Sequence, residues 1–132
     1  MHVDGHCYCG KITFEAEADP ETVLVCHCTD CQELTGSAYR AVVTAKNLVI
    51  RKGTPKVWVK KAESGRERAH AFCADCGSPV YSGPTDGSLA SVSLRIGTLT
   101  QRRELEPKKQ IWTRSALPWA LDLHALEGHE KQ

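Results

Sequence analysis

The sequence has few aromatic residues, almost no net charge and no long hydrophobic run. Aromatic side chains make up 6% of the 132 residues, and the formal net charge is +1. A balanced charge provides no basic surface for nucleic acid or for an anionic membrane. The apolar runs are short, such as residues 23–25, whereas a membrane helix needs about 20 apolar residues. We therefore expect neither a nucleic-acid partner nor a membrane partner.

The N-terminal segment also lacks the apolar h-region of a secretory signal, because residues 1–7 contain no apolar run. We therefore expect a reducing, cytoplasmic location, where clustered cysteines usually bind metal or take part in catalysis. A length of 132 residues predicts a single domain. We place this domain at residues 1–126 and expect residues 127–132 to form a solvated C-terminal tail.

Short segments of strand-forming residues recur along the chain and are separated by glycine, proline, aspartate and asparagine. Residues 56–60 alternate, with valines on one face and Trp58 on the other, and residues 89–96 alternate again. Helical patterning is limited to residues 29–34 and 120–127. The pattern predicts an all-β sandwich or open barrel. Further strands are predicted at residues 12–16, 21–26, 38–44, 48–52, 66–72 and 79–82.

Seven cysteines are the most unusual feature of the composition. Their odd number excludes a complete set of internal disulfides. They fall into two groups, which we name by their order in the chain. The outer set is Cys7, Cys9, Cys73 and Cys76, and the central trio is Cys26, Cys28 and Cys31. A Cys-x-x-Cys turn brings two thiolates to one metal, and tetrahedral zinc takes four ligands at about 2.3 Å. The sequence therefore predicts metal binding.

The seven thiols divide most simply into four and three, which predicts two zinc ions per chain. The outer set would form a closed site, and the central trio would leave one ligand position open. Closed four-ligand zinc sites are structural, whereas three ligands with an open position are typical of catalytic zinc. One alternative is a zinc ribbon, in which Cys28 and Cys31 join the pair at residues 73 and 76. Another alternative is an iron–sulfur centre on the same thiolates.

A zinc ion with three thiolate ligands predicts particular chemistry. Such a site is soft and favours sulfur in the fourth position. A thiol bound there ionises near neutral pH and becomes a nucleophile held in place. The central trio therefore predicts a site that joins a small thiol to an electrophile such as an aldehyde.

The same residues carry a resemblance to a known family. The matching motifs are GHCYCG at residues 5–10, CHCTDCQ at 26–32 with TGS at 35–37, FCADCGS at 72–78, GTL at 97–99, IWT at 111–113 and PW at 118–119. On these motifs the chain resembles the glutathione-dependent formaldehyde-activating enzymes, also called the centromere-protein-V family. The resemblance implies a β-tent fold of stacked antiparallel sheets, a structural zinc on the outer set and a catalytic zinc on the central trio.

The resemblance also implies an activity. The family is typified by S-(hydroxymethyl)glutathione synthase, a carbon–sulfur lyase, so we expect a small thiol such as glutathione and a small aldehyde such as formaldehyde as substrates. It places Gln32, Thr35, Gly36 and Ser37 along the substrate cleft. The alternative for these four residues is a helix end, with Gly36 as its C-terminal turn. The rival function is a zinc-stabilised binding module, or a thiol carrier, without turnover.

Several other side chains are ambiguous from the sequence. His27 lies between two predicted ligands. The simpler prediction is that its ring supports the site or packs on a strand face, and the alternative is an acid–base role. A fourth ligand such as His27 or His6 would favour the binding module. Lys11, Arg40 and Arg95 could meet the carboxylates of a glutathione-like thiol, although a solvated strand face is the simpler prediction for each. The two C-terminal tryptophans, Trp112 and Trp119, are predicted to pack over the sheet, with the lining of a pocket as the alternative.

Overall fold

Nine strands and one α-helix make up the regular structure, and the computed structural model describes all of residues 1–132. The helix, α1, spans Thr29–Thr35. The strands are β1 (His2–His6), β2 (Thr13–Ala18), β3 (Leu24–Cys26), β4 (Arg40–Lys52), β5 (Lys56–Lys61), β6 (Glu67–Phe72), β7 (Pro79–Gly83), β8 (Ser91–Arg95) and β9 (Lys109–Ile111). The prediction of an all-β fold is confirmed.

All nine strands belong to one hydrogen-bonded sheet. Its main path runs β1-β2-β4-β8-β7-β6-β5, and β3 pairs with β4 and with β9. The pairs are antiparallel except that of β3 with β9, which is parallel. The long strand β4 joins the parts, because it pairs with β8 along one side and with β3 and β2 along the other. The fold therefore has one continuous sheet where the resemblance implied stacked sheets.

The strand β4 also corrects the prediction of two strands at residues 38–44 and 48–52. Residue Asn47 adopts a left-handed conformation with φ of 54°, and its N–H donates to the carbonyl of Ala90. Asparagine tolerates this conformation better than most residues, so the irregularity bends the strand without ending it. The second predicted helix, at residues 120–127, is also wrong, since that region contains only a short 3-10 turn at Pro118–Leu121.

A compact apolar cluster lies on one side of the sheet and includes two cysteines of the outer set. Phe14 and Leu94 are almost fully buried there, together with Cys7 and Cys73. Burying side chains of this size contributes roughly 1.5–3 kcal/mol each. A Cβ atom on Gly5 would lie 2.6 Å from the Phe14 ring, so β1 packs closely only because this residue is glycine. The core thus holds two metal-ligand candidates in place.

The register of the strands brings a row of polar side chains onto the opposite face of the sheet. Residues directly paired across strands share a face, as do residues two apart along a strand. We call this the cationic face, because it carries Arg40, Lys60, Arg68, His70 and Arg95. The helix α1 lies against it, since Asp30 forms an ion pair with Lys60 at 2.7 Å.

Candidate metal centres

The four sulfurs of the outer set converge although Cys9 and Cys73, one from each pair, are 64 positions apart in the chain. All four lie within 4.8 Å of one another. The Sγ of Cys9 is 3.6 Å from that of Cys7 and 3.7 Å from that of Cys73. A tetrahedral zinc with bonds of about 2.3 Å separates its sulfurs by about 3.8 Å. The outer set therefore fits a four-coordinate metal ion without rearrangement.

Two tight turns place the outer set. The first follows β1 and ends at Gly10, with φ of 77°, and the second follows β6 and ends at Gly77, with φ of 79°. Both glycines supply a left-handed conformation that a side chain would strain. The turns are joined, because the backbone N–H of Tyr8 donates to the hydroxyl of Ser78 at 2.9 Å. The site thus ties the N-terminal hairpin to the middle of the chain.

Hydrogen bonds favour the thiolate form at two cysteines of this cluster, Cys7 and Cys76. The Ser78 hydroxyl lies 3.2 Å from the Cys76 sulfur. This hydroxyl, together with backbone N–H groups, lowers the pKa of Cys76 to about 5. The N–H of Ile12 donates to the Cys7 sulfur at 3.3 Å. Thiolate ligands are the form that metals bind, and Cys76 favours that form. At Cys9 a backbone hydrogen bond from Lys11 is outweighed by burial and by the neighbouring thiols, which raise its pKa to about 11.

The sulfurs of the central trio also lie within 4.8 Å of one another. Cys26 ends β3, Cys28 caps the start of α1 and Cys31 lies in its first turn. The sulfurs of Cys28 and Cys31 are 2.9 Å apart, which is shorter than the spacing of about 3.8 Å around tetrahedral zinc. The donor set fits a soft metal, with three protein ligands.

The trio is open on one side only. Cys26 and Cys31 are buried, whereas Cys28 is half-buried. Burial raises the pKa of Cys31. At Cys28 burial opposes ionisation, but hydrogen bonds from the Cys31 thiol and backbone, with the charge of Arg40, lower its pKa overall. An incoming ligand would therefore approach from the side of Cys28.

A cavity of about 430 Å³ lies on this open side, and we call it the trio cavity. The residues that line it include Cys28, Lys60, Trp112 and Ser115. The parallel pairing of β9 with β3 sets Ile111 opposite Cys26, so the next residue of the chain reaches the trio. Trp112 therefore borders the cavity, and the prediction that it packs over the sheet is wrong.

The backbone of Trp112 is strained. Its φ is 56°, which is an outlier for a bulky side chain. Such a conformation persists only where the surroundings impose it, and it is commonest at functional sites. Here the Gln32 amide donates to the Ser115 carbonyl at 3.1 Å and holds the following turn against α1. Trp119 is 61% exposed, so its predicted packing over the sheet is wrong as well.

The four residues predicted along the substrate cleft lie on or just after α1. The amide of Gln32 donates to the His27 carbonyl at 2.9 Å, and the Thr35 hydroxyl donates to the Cys31 carbonyl at 2.7 Å. Gly36 ends the helix in the left-handed conformation, and the Ser37 N–H donates to the Thr35 hydroxyl. None of the four lines the trio cavity. Their direct contact with substrate stays a prediction.

The histidines near the cysteines are not grouped with either set of sulfurs. His27 is buried, and its Nε2 donates to the side-chain oxygen of Gln110 at 2.7 Å. Its ring packs edge-on against Tyr39, with 5.6 Å between centroids. His6 is hydrogen-bonded to the Cys7 carbonyl. The fourth position of the trio is therefore not supplied by either histidine.

A second cavity, of about 390 Å³, lies between α1 and the cationic face, and we call it the sheet cavity. Its lining residues include Leu34, Trp58, His70 and Arg95. Only 6% of Arg95 is exposed, so the prediction of a solvated strand face is wrong for this residue. Burial and the charge of Arg40 lower the pKa of Arg95 to about 10.

His70 shares the sheet cavity and was not identified as a site residue from the sequence. Arginine has no hydrogen-bond acceptor, so the contact of 3.2 Å between them is donated by Arg95 to Nδ1 of His70. Burial, followed by the charges of Arg95 and other cationic neighbours, lowers the pKa of His70 to about 4. The ring is therefore neutral near pH 7. Alternation in β6 indicates which residues share a face with His70. Only the pairing register of the strands shows that this face also carries Arg95.

Lys11, the third predicted cation, lies near the outer set. Its ammonium group is 3.3 Å from the carboxylate of Asp75, and this partner raises the pKa of Lys11. Both side chains are exposed. Lys11 is thus paired within the chain, away from the residues that line the trio cavity.

These features define a class: a small, mostly β protein with a four-thiol cluster and a three-thiol cluster, each of a size that could hold a metal ion. The family model described as glutathione-dependent formaldehyde-activating enzyme matches residues 2–115. The chain therefore belongs to this family, and the resemblance drawn from the motifs is confirmed.

Comparison with solved structures supports the same fold. The crystal structure of a Rhodobacter sphaeroides protein is similar, with a TM-score of 0.61 and 18% sequence identity. The similarity covers 81% of this chain and 98% of that one. No curated protein matches the sequence. None of the helices is long and apolar enough to cross a membrane.

Proposed function

We propose that the protein is a zinc-dependent carbon–sulfur lyase that joins a small thiol, such as glutathione, to a small aldehyde, such as formaldehyde. The observation that carries this proposal is the half-buried Cys28 in a three-thiol cluster that opens onto a cavity of about 430 Å³. Membership of the family supports the substrates. Clustered cysteines that bind metal are typical of a reducing compartment such as the cytoplasm.

The two clusters have different tasks in this proposal. A structural zinc would be held by the outer set, Cys7, Cys9, Cys73 and Cys76. A catalytic zinc would be held by the central trio, Cys26, Cys28 and Cys31. When bound at the trio, zinc would supply an open ligand position at which a thiol ionises near neutral pH. The buried sulfurs of Cys26 and Cys31 restrict the approach to the side of Cys28.

The residues of the trio cavity then orient the reaction. The ring of Trp112 forms part of the wall, and Gln32 holds the adjoining turn through the Ser115 carbonyl. The substrate thiolate attacks the aldehyde carbon, a carbon–sulfur bond forms, and the carbonyl oxygen takes up a proton to give the S-hydroxyalkyl product. Lys60 lines the same cavity, where its ammonium group is paired with Asp30 at 2.7 Å.

Zinc content and exchange kinetics test the proposal together. Protein purified without chelator should contain two zinc ions per chain. One tightly held zinc with three freely titrating thiols would contradict the two-site account. Exchange spectroscopy by NMR should show that the protein speeds the interconversion of formaldehyde with S-hydroxymethylglutathione above the uncatalysed rate. The Cys28→Ser variant should lose this acceleration.

A non-catalytic thiol carrier is the rival function, because three thiols in a cavity can bind a ligand without turnover. The same experiment separates the two. A carrier would bind glutathione and leave the exchange rate at its uncatalysed value.

A further inference from the structure

We propose that the sheet cavity is a carboxylate-binding site, in which Arg95 and His70 hold a carboxylate of the thiol substrate. This inference rests on the proposed thiol chemistry at the trio and adds a second point of attachment. It assigns a ligand class to a cavity that the cysteines do not occupy.

The first observation is an arginine with unused hydrogen-bond donors. Arg95 is 6% exposed, and its Nε and Nη1 have no hydrogen-bond partner. Only its Nη2 has a partner, the Nδ1 of His70. Unpaired buried donors are costly. The Cys31 thiol bears on the charge of the guanidinium group but accepts no hydrogen bond from it, so a carboxylate entering the cavity would supply the missing acceptors.

The second observation is the sign of the charge around the cavity. Its ten lining residues include Lys56, His70 and Arg95 but no aspartate or glutamate. Arg40, which also has an unpartnered buried Nε, lies on the same face. The helix α1 has two acidic side chains: Asp30 is paired with Lys60, and Glu33, beside Leu34, is exposed and does not line the cavity. The chain therefore offers the cavity positive charge and no carboxylate of its own.

The tautomer of His70 adds a third donor. Because Nδ1 accepts from Arg95, the neutral ring carries its proton on Nε2. The Nε2–H group is therefore available to a ligand beside the guanidinium group. Donors on two strands, the guanidinium group of Arg95 on β8 and the Nε2–H of His70 on β6, would then converge on one carboxylate.

The distance from the trio favours a substrate of peptide length. The helix α1 begins beside Cys28 and carries Leu34, a lining residue of the sheet cavity, in its last turn. Seven helical residues span about 10 Å. The thiol of glutathione lies on its middle residue, so one extended arm of the molecule, and not its whole length, would have to reach from the trio to the sheet cavity. Half of the lining residues are hydrophobic, Trp58 and Leu34 among them, which suits the carbon skeleton of such a ligand.

The test compares glutathione with its diethyl ester, which keeps the thiol and lacks both carboxylates. Zinc-loaded native protein should bind glutathione about 10- to 100-fold more tightly than the ester, as expected for a charged hydrogen-bonded pair. Arg95→Gln should reduce this preference to about threefold or less. Arg103 is exposed, so Arg103→Gln is the matched control and should keep the full preference.

A second pair of variants avoids changing a buried residue. Leu34 is 39% exposed, and Leu34→Glu places a carboxylate at the edge of the cavity. This variant should lose the preference for glutathione over the ester. Leu34→Gln has a side chain of the same size without the charge and should keep it.

Acetate tests the cavity without the thiol. In native protein and in Leu34→Gln, acetate should shift the NMR resonances of the His70 ring in a saturable way, and Leu34→Glu should abolish the shift. The absence of a saturable shift would overturn the carboxylate site, whether or not the trio binds thiols. Equal binding of glutathione and its ester would also overturn the site. So would an unchanged preference for glutathione in Arg95→Gln, because Arg95 would then serve only as a counter-charge for the thiolates. If S-methylglutathione binds as well as glutathione while the acetate shift persists, only the thiol chemistry fails.

Discussion

Replacing one cysteine in each cluster should separate a structural role from a functional one. Cys73 is 1% exposed and belongs to the apolar core, and its sulfur is 3.7 Å from that of Cys9. The free energy of zinc binding at a closed site is folding free energy, of order 10 kcal/mol or more in small zinc domains. The whole stability of a domain is about 5–15 kcal/mol. Cys73→Ser should therefore remove most of the stability.

Cys28→Ser should behave differently. Cys28 is half-buried and accepts a hydrogen bond from the Cys31 N–H at 3.2 Å as the N-cap of α1. Serine is among the best N-cap residues, so the helix start is preserved. We expect a loss of about 1 kcal/mol or less in unfolding free energy, together with weaker metal binding at the trio.

Urea unfolding followed by circular dichroism measures both effects, and a chromophoric chelator reports how fast each variant releases zinc. Cys73→Ser should be largely unfolded without denaturant. Cys28→Ser should unfold cooperatively and lose one zinc more readily than native protein. The reverse pattern, with Cys28→Ser unfolded and Cys73→Ser intact, would show that the roles of the clusters have been exchanged.

Three further predictions concern His70, Gly5 and Trp112. The pKa of His70 is lowered from 6.5 to about 4 in the folded protein. Between these pH values the unfolded chain binds more protons than the folded one, so the free energy of unfolding falls as the pH drops from 6.5 to 4. His70→Gln should flatten that part of the curve of unfolding free energy against pH. Gly5→Ala should lower the unfolding free energy by about 1–3 kcal/mol through overpacking, whereas Gly128→Ala, in open space, should leave it unchanged in the same urea titration. Trp112→Gly should change stability by less than about 1 kcal/mol, because glycine relieves the positive φ, yet it should weaken glutathione binding measured by calorimetry.

The cysteine clusters were predictable from the sequence because their geometry is largely local. A short turn closed by glycine sets two sulfurs close together whatever the rest of the fold does, as at Gly10 and Gly77. Which turns meet is a long-range question. The sequence left a zinc ribbon open, and the structure instead brings the first turn to Cys73 and keeps Cys28 in a separate cluster.

The cationic face was not predictable, because it depends on strand register. Arg95 stands opposite Val42, and His70 stands opposite Ser82 and Trp58. A shift of one residue in any of these pairings would turn the side chain to the other face of the sheet. Sequence alternation shows that a segment has two faces and does not show which neighbours share them.

The position of Trp112 was missed for a similar reason. Its place beside Cys28 follows from the parallel pairing of β9 with β3, and β9 has only three residues. A strand that short leaves almost no pattern in the sequence. The strained φ of Trp112 is likewise visible only in the structure.

Proton release on thiol binding tests the central claim, that the trio holds its ligand as a thiolate. Glutathione and S-methylglutathione are titrated into the zinc-loaded protein by calorimetry in two buffers of different ionisation enthalpy. Below the free thiol pKa of about 8.5, glutathione should bind with release of a proton, its affinity should rise with pH, and it should protect zinc from chelators. The S-methyl compound, a weak neutral ligand, should bind poorly. Equal binding of the two compounds without proton release would contradict thiol capture at the trio.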